Sequence, residues 1–514
     1  MNTYLMHSDR DADPEQALPP LSDDLIRDLG LARVIDAMAG DDDFLHDVAR
    51  RSLLNSLFAV EEIVYRQDAA RDGVENSRKL RSIYALASEA IHDEGRNFWG
   101  LRSRHASSIL RRSVEVLAMF MDTLEKIRAI GTQSSCRFTS KAWCRFFSMM
   151  NREIGDDYVE RVRADLKRVE FSSGIPMCAR LGSGNRSTGY VLRDDEHPTA
   201  SWLDRLLQRD EPGYTYELHP RDESGARALS ELGDRGVNLV ANALAQAADH
   251  ILAFLTTLRY EAGFYVACLN LHERLSAKGG PLCFPSPLPT DDGGWRATGL
   301  YDPAFALETS GVVVGNEYVA DQKRAIIVTG ANGGGKSTFL RALGTSQLML
   351  QAGMFVPASS MHASLCRGLF SHYKREEDET MTSGKLDEEL RRMSGIVPHL
   401  CPGALVLFNE SFAATNEREG SEIAFHVATA LNDCNLRIAF VTHLYDFAHR
   451  VARERKGQVC FLRAERETEG RPSFELTQGE PLPTSYGGDL YRRILADFDG
   501  ELTRQGAQPA PSEP

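Results

Sequence analysis

Apolar residues recur every three or four positions through the first third of the chain. Leu53, Leu54, Leu57, Val60 and Ile63 follow that spacing, as do Leu110, Val114, Leu117, Phe120 and Leu124. The period predicts helices from about Leu25 to Gly174. The texture changes at Phe171. The stretch from Arg180 to Leu192 reads as a β-hairpin turning on a Gly-rich tip, and Gly213 to Leu218 as a further strand. An apolar stripe then runs from Val237 through Val240, Leu244, Ala248, Ile251, Leu255, Leu258 and Ala262 to Tyr265 without a proline. It predicts one helix to about Leu275, roughly 50 Å or more at 1.5 Å per residue. Such a helix is either a plain core or coiled-coil element or a lever between distant surfaces. Gly279-Gly280-Pro281 ends it, and short apolar runs alternate with helical stretches from there to about Ala496.

These shifts divide the chain into a tail at 1–20, a helical core at 21–170, a small β-containing insertion at 171–235, the long helix at 236–279, an α/β domain at 280–498 and a tail at 499–514. Both tails are small, polar or Asp- and Pro-rich and are expected to be disordered. At 514 residues the chain is too long for one core.

The α/β region carries the chemistry. Gly330 to Ser337 reads Gly-Ala-Asn-Gly-Gly-Gly-Lys-Ser, a complete phosphate loop. An apolar run, Ala325 to Thr329, precedes it, and a helical stretch from Thr338 to Leu343 follows. Strand, glycine loop and helix are what phosphate binding requires: backbone N–H groups close on the oxygens and the helix N-terminus adds positive charge. Gly330, Asn332, Gly333, Gly334, Gly335, Lys336, Ser337 and Thr338 are the expected nucleotide contacts, with Lys336 on the β- and γ-phosphates and Ser337 on Mg²⁺.

Hydrolysis further needs a carboxylate at the end of a neighbouring buried strand. Ala404 to Phe408 is such a strand, and Asn409-Glu410 ends it. Glu410 is the candidate general base. Asn409 stands where an acidic Mg²⁺ partner is usual, and its amide oxygen still accepts from a Mg²⁺-bound water. A third strand, Arg437 to Thr442, ends in His443, a candidate γ-phosphate sensor. Gln351 is read as a ligand of Mg²⁺ or of the attacking water. Thr382-Ser383-Gly384 opens a helix, either as a simple cap or as an anion cradle offered to a partner subunit's γ-phosphate. Tyr301 and Tyr318 are candidates for stacking on adenine.

Together these segments resemble the MutS family of DNA mismatch-repair ATPases, an ABC-type branch of the P-loop enzymes. Thr329 to Arg341 parallels the family's T-G-P-N-M-G-G-K-S-T-x-L-R, Gln351 to Ala358 its Q-x-G-x-x-V-P-A, and Asn409 to Gly420 an altered D-E-x-x-x-G-T-S-T-x-D-G. Val441-Thr442-His443 parallels A-T-H, and Ser485-Tyr486-Gly487 a late S-Y-G. The resemblance implies an α/β P-loop NTPase (ABC-type) domain following a mostly α-helical core and lever with a small β insertion. It also implies ATP and Mg²⁺ as cofactors and a homodimer in which Ser383 reaches the partner's nucleotide. The lever would carry the nucleotide state to a clamp on DNA. No Phe-x-Glu stands in a mismatch-reading context. The expectation is therefore a truncated MutS-like protein without an evident mismatch-recognition domain, acting on mismatched, branched or distorted DNA beside repair-protein partners.

Charge bears on the DNA reading. The net charge of −14 argues against sequence-blind coating of nucleic acid but leaves room for local basic surfaces. Arg180, Arg186 and Arg193 around the hairpin are the preferred DNA-contact set. Clusters at Arg102, Arg104, Arg111 and Arg112, and at Arg161, Arg163, Lys167 and Arg168, are read more readily as solvated helix faces. Nine scattered cysteines without a Cys-x-x-Cys pair, and no visible secretion signal, point to reduced thiols in the cytoplasm. No apolar run approaches a membrane span. Two rival functions remain open: an ATP-gated dimeric switch with little turnover, for which Asn409 speaks, and an ABC-type ATPase acting on proteins.

Overall fold

The predicted helical periodicity is realised as eight described helices between Ser22 and Val169. The computed structural model describes residues 1–98, 105–132, 138–171, 175–185, 187–192, 218–219, 221–330, 333–375, 384–466 and 472–482. The chain divides into two compact units. One comprises Met1–Thr3, Arg78–Phe138 and Trp143–Ala262, and the other Tyr4–Ser77, Thr139–Ala142 and Gly263–Pro514. The predicted strand at Gly213 to Leu218 falls almost wholly outside the described residues.

The first unit is helical. Phe120, Phe146, Phe254, Leu255 and Leu258 form its buried interior, and Phe146 stacks on Phe254 with ring centroids 6.5 Å apart. The hairpin is present: strands β1 (Met177–Leu181) and β2 (Ser187–Leu192) pair antiparallel across a tip with Gly184 at φ 73°. The long helix begins earlier than its apolar stripe suggests. It spans Glu223–Ser276, 54 residues, or about 80 Å at 1.5 Å per residue. An 18-residue window in it has mean hydropathy 1.3 and is 22% buried, so by length and composition the helix could cross a membrane. The stretch Glu261 to Leu269 is buried in protein, and a core helix meets the same composition test.

The second unit holds two sheets. The smaller has the order β3 (Ser286–Leu288), β7 (Ser360–Ser364), β4 (Trp295–Leu300) and β5 (Asn316–Val319). The larger is built on β6 (Ala325–Gly330), β8 (Leu369–Tyr373), β9 (Leu405–Asn409), β10 (Arg437–Val441), β11 (Val459–Arg466) and β12 (Pro472–Gln478). Its order is β12-β11-β6-β10-β9-β8, parallel throughout except for β12. Central strands buried on both faces need continuous apolar runs, and β6 and β10 supply them.

Two domain expectations change. The first 20 residues are not a free tail: Leu5 and Met6 are buried, Tyr265 donates its hydroxyl to the Leu5 carbonyl at 2.6 Å, and Tyr65 does the same to Tyr4. Nor does one helical core cover 21–170. The helix Ser22–Leu29 packs on β8 and on the phosphate-loop helix, with Ser371 donating to Asp28 at 2.7 Å and Arg375 to Asp24 at 2.6 Å. Gly344 of that loop helix is where Leu29 makes its close approach.

Candidate functional site

The parallel strands end at one edge. Asn409 is level with Val441, and Val441 with Val328, so the loop leaving β6 and the turn leaving β9 emerge together. The carboxylate strand is not the direct neighbour of β6, as the sequence reading assumed; β10 lies between them. Gly330 leaves β6 at φ 114°, and a Cβ there would lie 2.8 Å from the Ala464 carbonyl oxygen. Gly335, at φ 86°, precedes the helix Lys336–Gln351. Only glycine fits both positions without strain.

Lys336 is buried, and its Nζ donates to the Gly330 carbonyl at 2.9 Å. Burial lowers its pKa, while the nearby Glu410 carboxylate opposes the shift. A cation held out of water beside a helix N-terminus favours an anion. Ser337 Oγ donates to Asn409 Oδ1 at 2.9 Å. Lys336 and Ser337 line a cavity of about 550 Å³, together with Gly333, Gly335, Thr338 and Glu410. The rest of its described lining is largely apolar: Phe305, Thr309, Val312, Val313, Val314, Asn316 and Phe474. The glycines and Lys336 suit phosphates, and the apolar residues suit a base. Ser337 and Asn409 offer two oxygens suited to a hard cation.

Backbone strain gathers here. Glu410 has φ 53°, Phe412 φ 64° and Phe474 φ 60°. Non-glycine residues in this region persist only where their surroundings over-determine them. Asn316 does so for Phe474: its Nδ2 donates to the Phe474 carbonyl, and its Oδ1 accepts from the Leu476 N–H at 2.7 Å.

Residues 326–489 match the family model described as MutS domain V, and residues 59–278 match the MutS2 N-terminal domain. The chain belongs to the MutS family. It is 32% identical to the DNA mismatch repair protein MutS of Porphyromonas gingivalis over 158 residues, 28% of this chain and 18% of that protein. It is 32% identical over 300 residues to MutS of Trichormus variabilis, 53% and 33% of the two chains. Endonuclease MutS2 of Geobacillus thermodenitrificans is 29% identical over 188 residues, 36% and 23%. The chain thus matches well under two thirds of the length of these MutS relatives.

Within this MutS domain V the placement of the remaining sequence candidates is uneven. Gly334 lies in the loop between Gly333 and Gly335 and is buried. His443 follows Thr442, whose N–H donates to the Val328 carbonyl at 3.0 Å; it is exposed at the same sheet edge but is not among the described cavity-lining residues. Gln351 is not at the site. It ends the helix that Lys336 begins, about 22 Å away at 1.5 Å per residue. It is fully buried, its Nε2 donating to the Leu57 and Cys366 carbonyls and its Oε1 accepting from Gln347 Nε2 and the Cys366 N–H. Every polar atom of that amide is engaged, so it has no lone pair for Mg²⁺ or water.

Tyr301 and Tyr318 also leave the candidate set. They are 3% and 2% exposed, burial raises both hydroxyl pKa values (Tyr301 to about 12), and neither lines the cavity. The apolar lining is Phe305 and Phe474 with the valines between Gly311 and Gly315. That Val-Val-Val run between glycines was the available signal; the contribution of Phe474, far along the chain, had none.

Asn332, Ser383, Arg186, Arg193, Arg102, Arg104 and Ser485-Tyr486-Gly487 lie outside the described residues. Arg180 is exposed on β1. In the other basic clusters Arg112 pairs with Glu94 at 2.6 Å and Arg163 with Asp122 at 2.6 Å and with Glu125, which suits a solvated helix face.

Proposed function

We propose that this chain is an ABC-type P-loop ATPase of the MutS family that couples ATP binding and hydrolysis to holding mismatched, branched or distorted DNA. The observation that carries the reading is that Lys336, Ser337 and Glu410 line one cavity together with Phe305, Phe474 and three valines, while Ser337 bonds Asn409. Lys336 and the loop amides bind the β- and γ-phosphates. Ser337 and Asn409 hold Mg²⁺, which when bound neutralises phosphate charge. Glu410 orients the attacking water and accepts its proton. His443 reads the γ-phosphate from the same edge. Phe305 and Phe474 flank the base.

The family reading adds a homodimer in which Ser383 completes the partner's site, and the helix Glu223–Ser276 as the lever to the DNA-holding region. Arg180, with Arg186 and Arg193, is the first DNA contact to test, and repair proteins are the further partners. The cytoplasm is the compartment that fits.

A second reading has one specific support. Asn409 lacks the negative charge usual beside Mg²⁺, which fits an ATP-gated switch with little turnover. Steady-state phosphate release by wild type and Glu410→Gln separates the two. A clear excess in wild type supports the ATPase, and equal background rates support the switch. A salt-dependent titration with duplex, mismatched and branched DNA against a non-nucleic polyanion tests the DNA half. No preference over the polyanion would overturn that half and favour a protein substrate.

A further inference from the structure

The turn that carries Glu410 is held in place by a buried cluster behind it, outside the cavity. Three constraints meet on Phe412, two residues beyond Glu410. Its N–H donates to Glu389 Oε2 at 2.7 Å. Its ring stacks on His372, with centroids 5.3 Å apart and planes 21° from parallel. Its carbonyl oxygen faces Gly420, where a Cβ would lie 2.3 Å away. Upstream, the Glu410 N–H donates to the Val441 carbonyl at 2.8 Å, and the Asn409 carbonyl accepts from Lys374 N–H at 2.9 Å. The left-handed conformations of Glu410 and Phe412 are thereby fixed from both sides.

His372 completes the cluster. Burial lowers its pKa to about 4, so the ring is neutral. Its Nε2 faces the Glu389 carbonyl at 2.9 Å and its Nδ1 the Ser411 hydroxyl at 2.7 Å. A carbonyl only accepts, so the single ring proton sits on Nε2; the Ser411 hydroxyl lies against Nδ1 and donates to the His372 carbonyl at 2.6 Å. His372 thus ties the helix Lys385–Ile396, through its ring bond to the Glu389 carbonyl, to Ser411, the residue after Glu410, through its own carbonyl. The same helix is anchored at Arg392, which donates to the Tyr373 carbonyl at 2.5 Å.

We propose that Glu389 is a positioning residue for Glu410, locking the strained 410–412 turn to the helix that starts just after the Ser383 segment. This rests on the ATPase reading and deepens it.

The test compares wild type, Glu389→Ala, Glu389→Asp and Glu389→Gln by ATP turnover and by hydrogen exchange at the Phe412 amide. Gln keeps an acceptor oxygen at full reach; Asp keeps the charge but retracts it by one methylene. The Ala and Asp variants are expected to lose about tenfold or more in kcat, with KM for ATP within about twofold, and to exchange the Phe412 amide about tenfold faster. The Gln variant is expected to stay near wild type in both. Should Ala misfold, Asp against Gln carries the comparison. Equal exchange and equal kcat in Asp and Gln would overturn the lock. Altered exchange with no wild-type turnover above Glu410→Gln would overturn the ATPase reading and the catalytic role with it, while leaving the clamp itself observed.

Discussion

The two ends of the helix Lys336–Gln351 make an instructive pair. Each carries a buried polar side chain, Lys336 at one end and Gln351 at the other. At the Gln351 end each amide atom is matched to a fixed backbone or side-chain partner, and the group is part of the core. At the Lys336 end a cation opens on a cavity of about 550 Å³ beside glycine amides and a carboxylate. Burial alone does not mark function. A buried polar group whose hydrogen bonds are closed stabilises the fold, and one aimed into a cavity awaits a ligand.

Substitution at the two ends should therefore give opposite phenotypes. Lys336→Met is expected to weaken ATP binding by about 4 kcal/mol, roughly a thousandfold, with no loss of melting temperature; calorimetric titration checks it, and unchanged affinity would erase the distinction. Gln351→Leu should orphan the Leu57 and Cys366 carbonyls and the Cys366 N–H. It is expected to cost about 3 kcal/mol of stability, read as a shifted urea midpoint, while kcat of the folded protein stays as in wild type.

His372 sharpens the comparison through pH. Its folded pKa is near 4, against about 6.5 in an unfolded chain. Between those values the unfolded state binds more protons, so stability falls as pH drops from 6.5 towards 4, by on the order of 2–3 kcal/mol for this group. His372→Gln should flatten that slope in urea titrations at pH 7.5 and 5; a slope equal to wild type would contradict a neutral, buried ring. Smaller effects belong to the open end. Asn409→Asp restores a charge beside Ser337 and should lower the Mg²⁺ concentration for half-maximal ATP binding about tenfold. Phe474→Ala should weaken nucleotide binding about fivefold by removing part of the apolar lining, whether the triphosphate or diphosphate is used.

Much of this site was legible in the chain because its signals are local. The phosphate loop needs glycines in sequence, and Leu405 to Asn409 and Arg437 to Val441 are strands by composition alone. What failed depends on distance through space. Gln351 follows the loop closely in sequence, yet a straight helix carries it to the far side of the unit. The order β6-β10-β9 cannot be read from run lengths. Nothing local in the sequence shows that the rings of Tyr301 and Tyr318 are buried in the core, Tyr318 in edge contact with Phe339. The N-terminal residues looked like a tail from their Asp and Pro content, while Leu5 and Met6 are held by partners far along the chain.

The central claim is that Lys336 and Glu410 work on one bound nucleotide. Single-turnover phosphate release at saturating Mg·ATP, comparing wild type with Glu410→Gln, tests it most directly. The account predicts equal ATP occupancy in the two proteins and release at least about a hundredfold slower in the variant. Equal release rates at equal occupancy would contradict it.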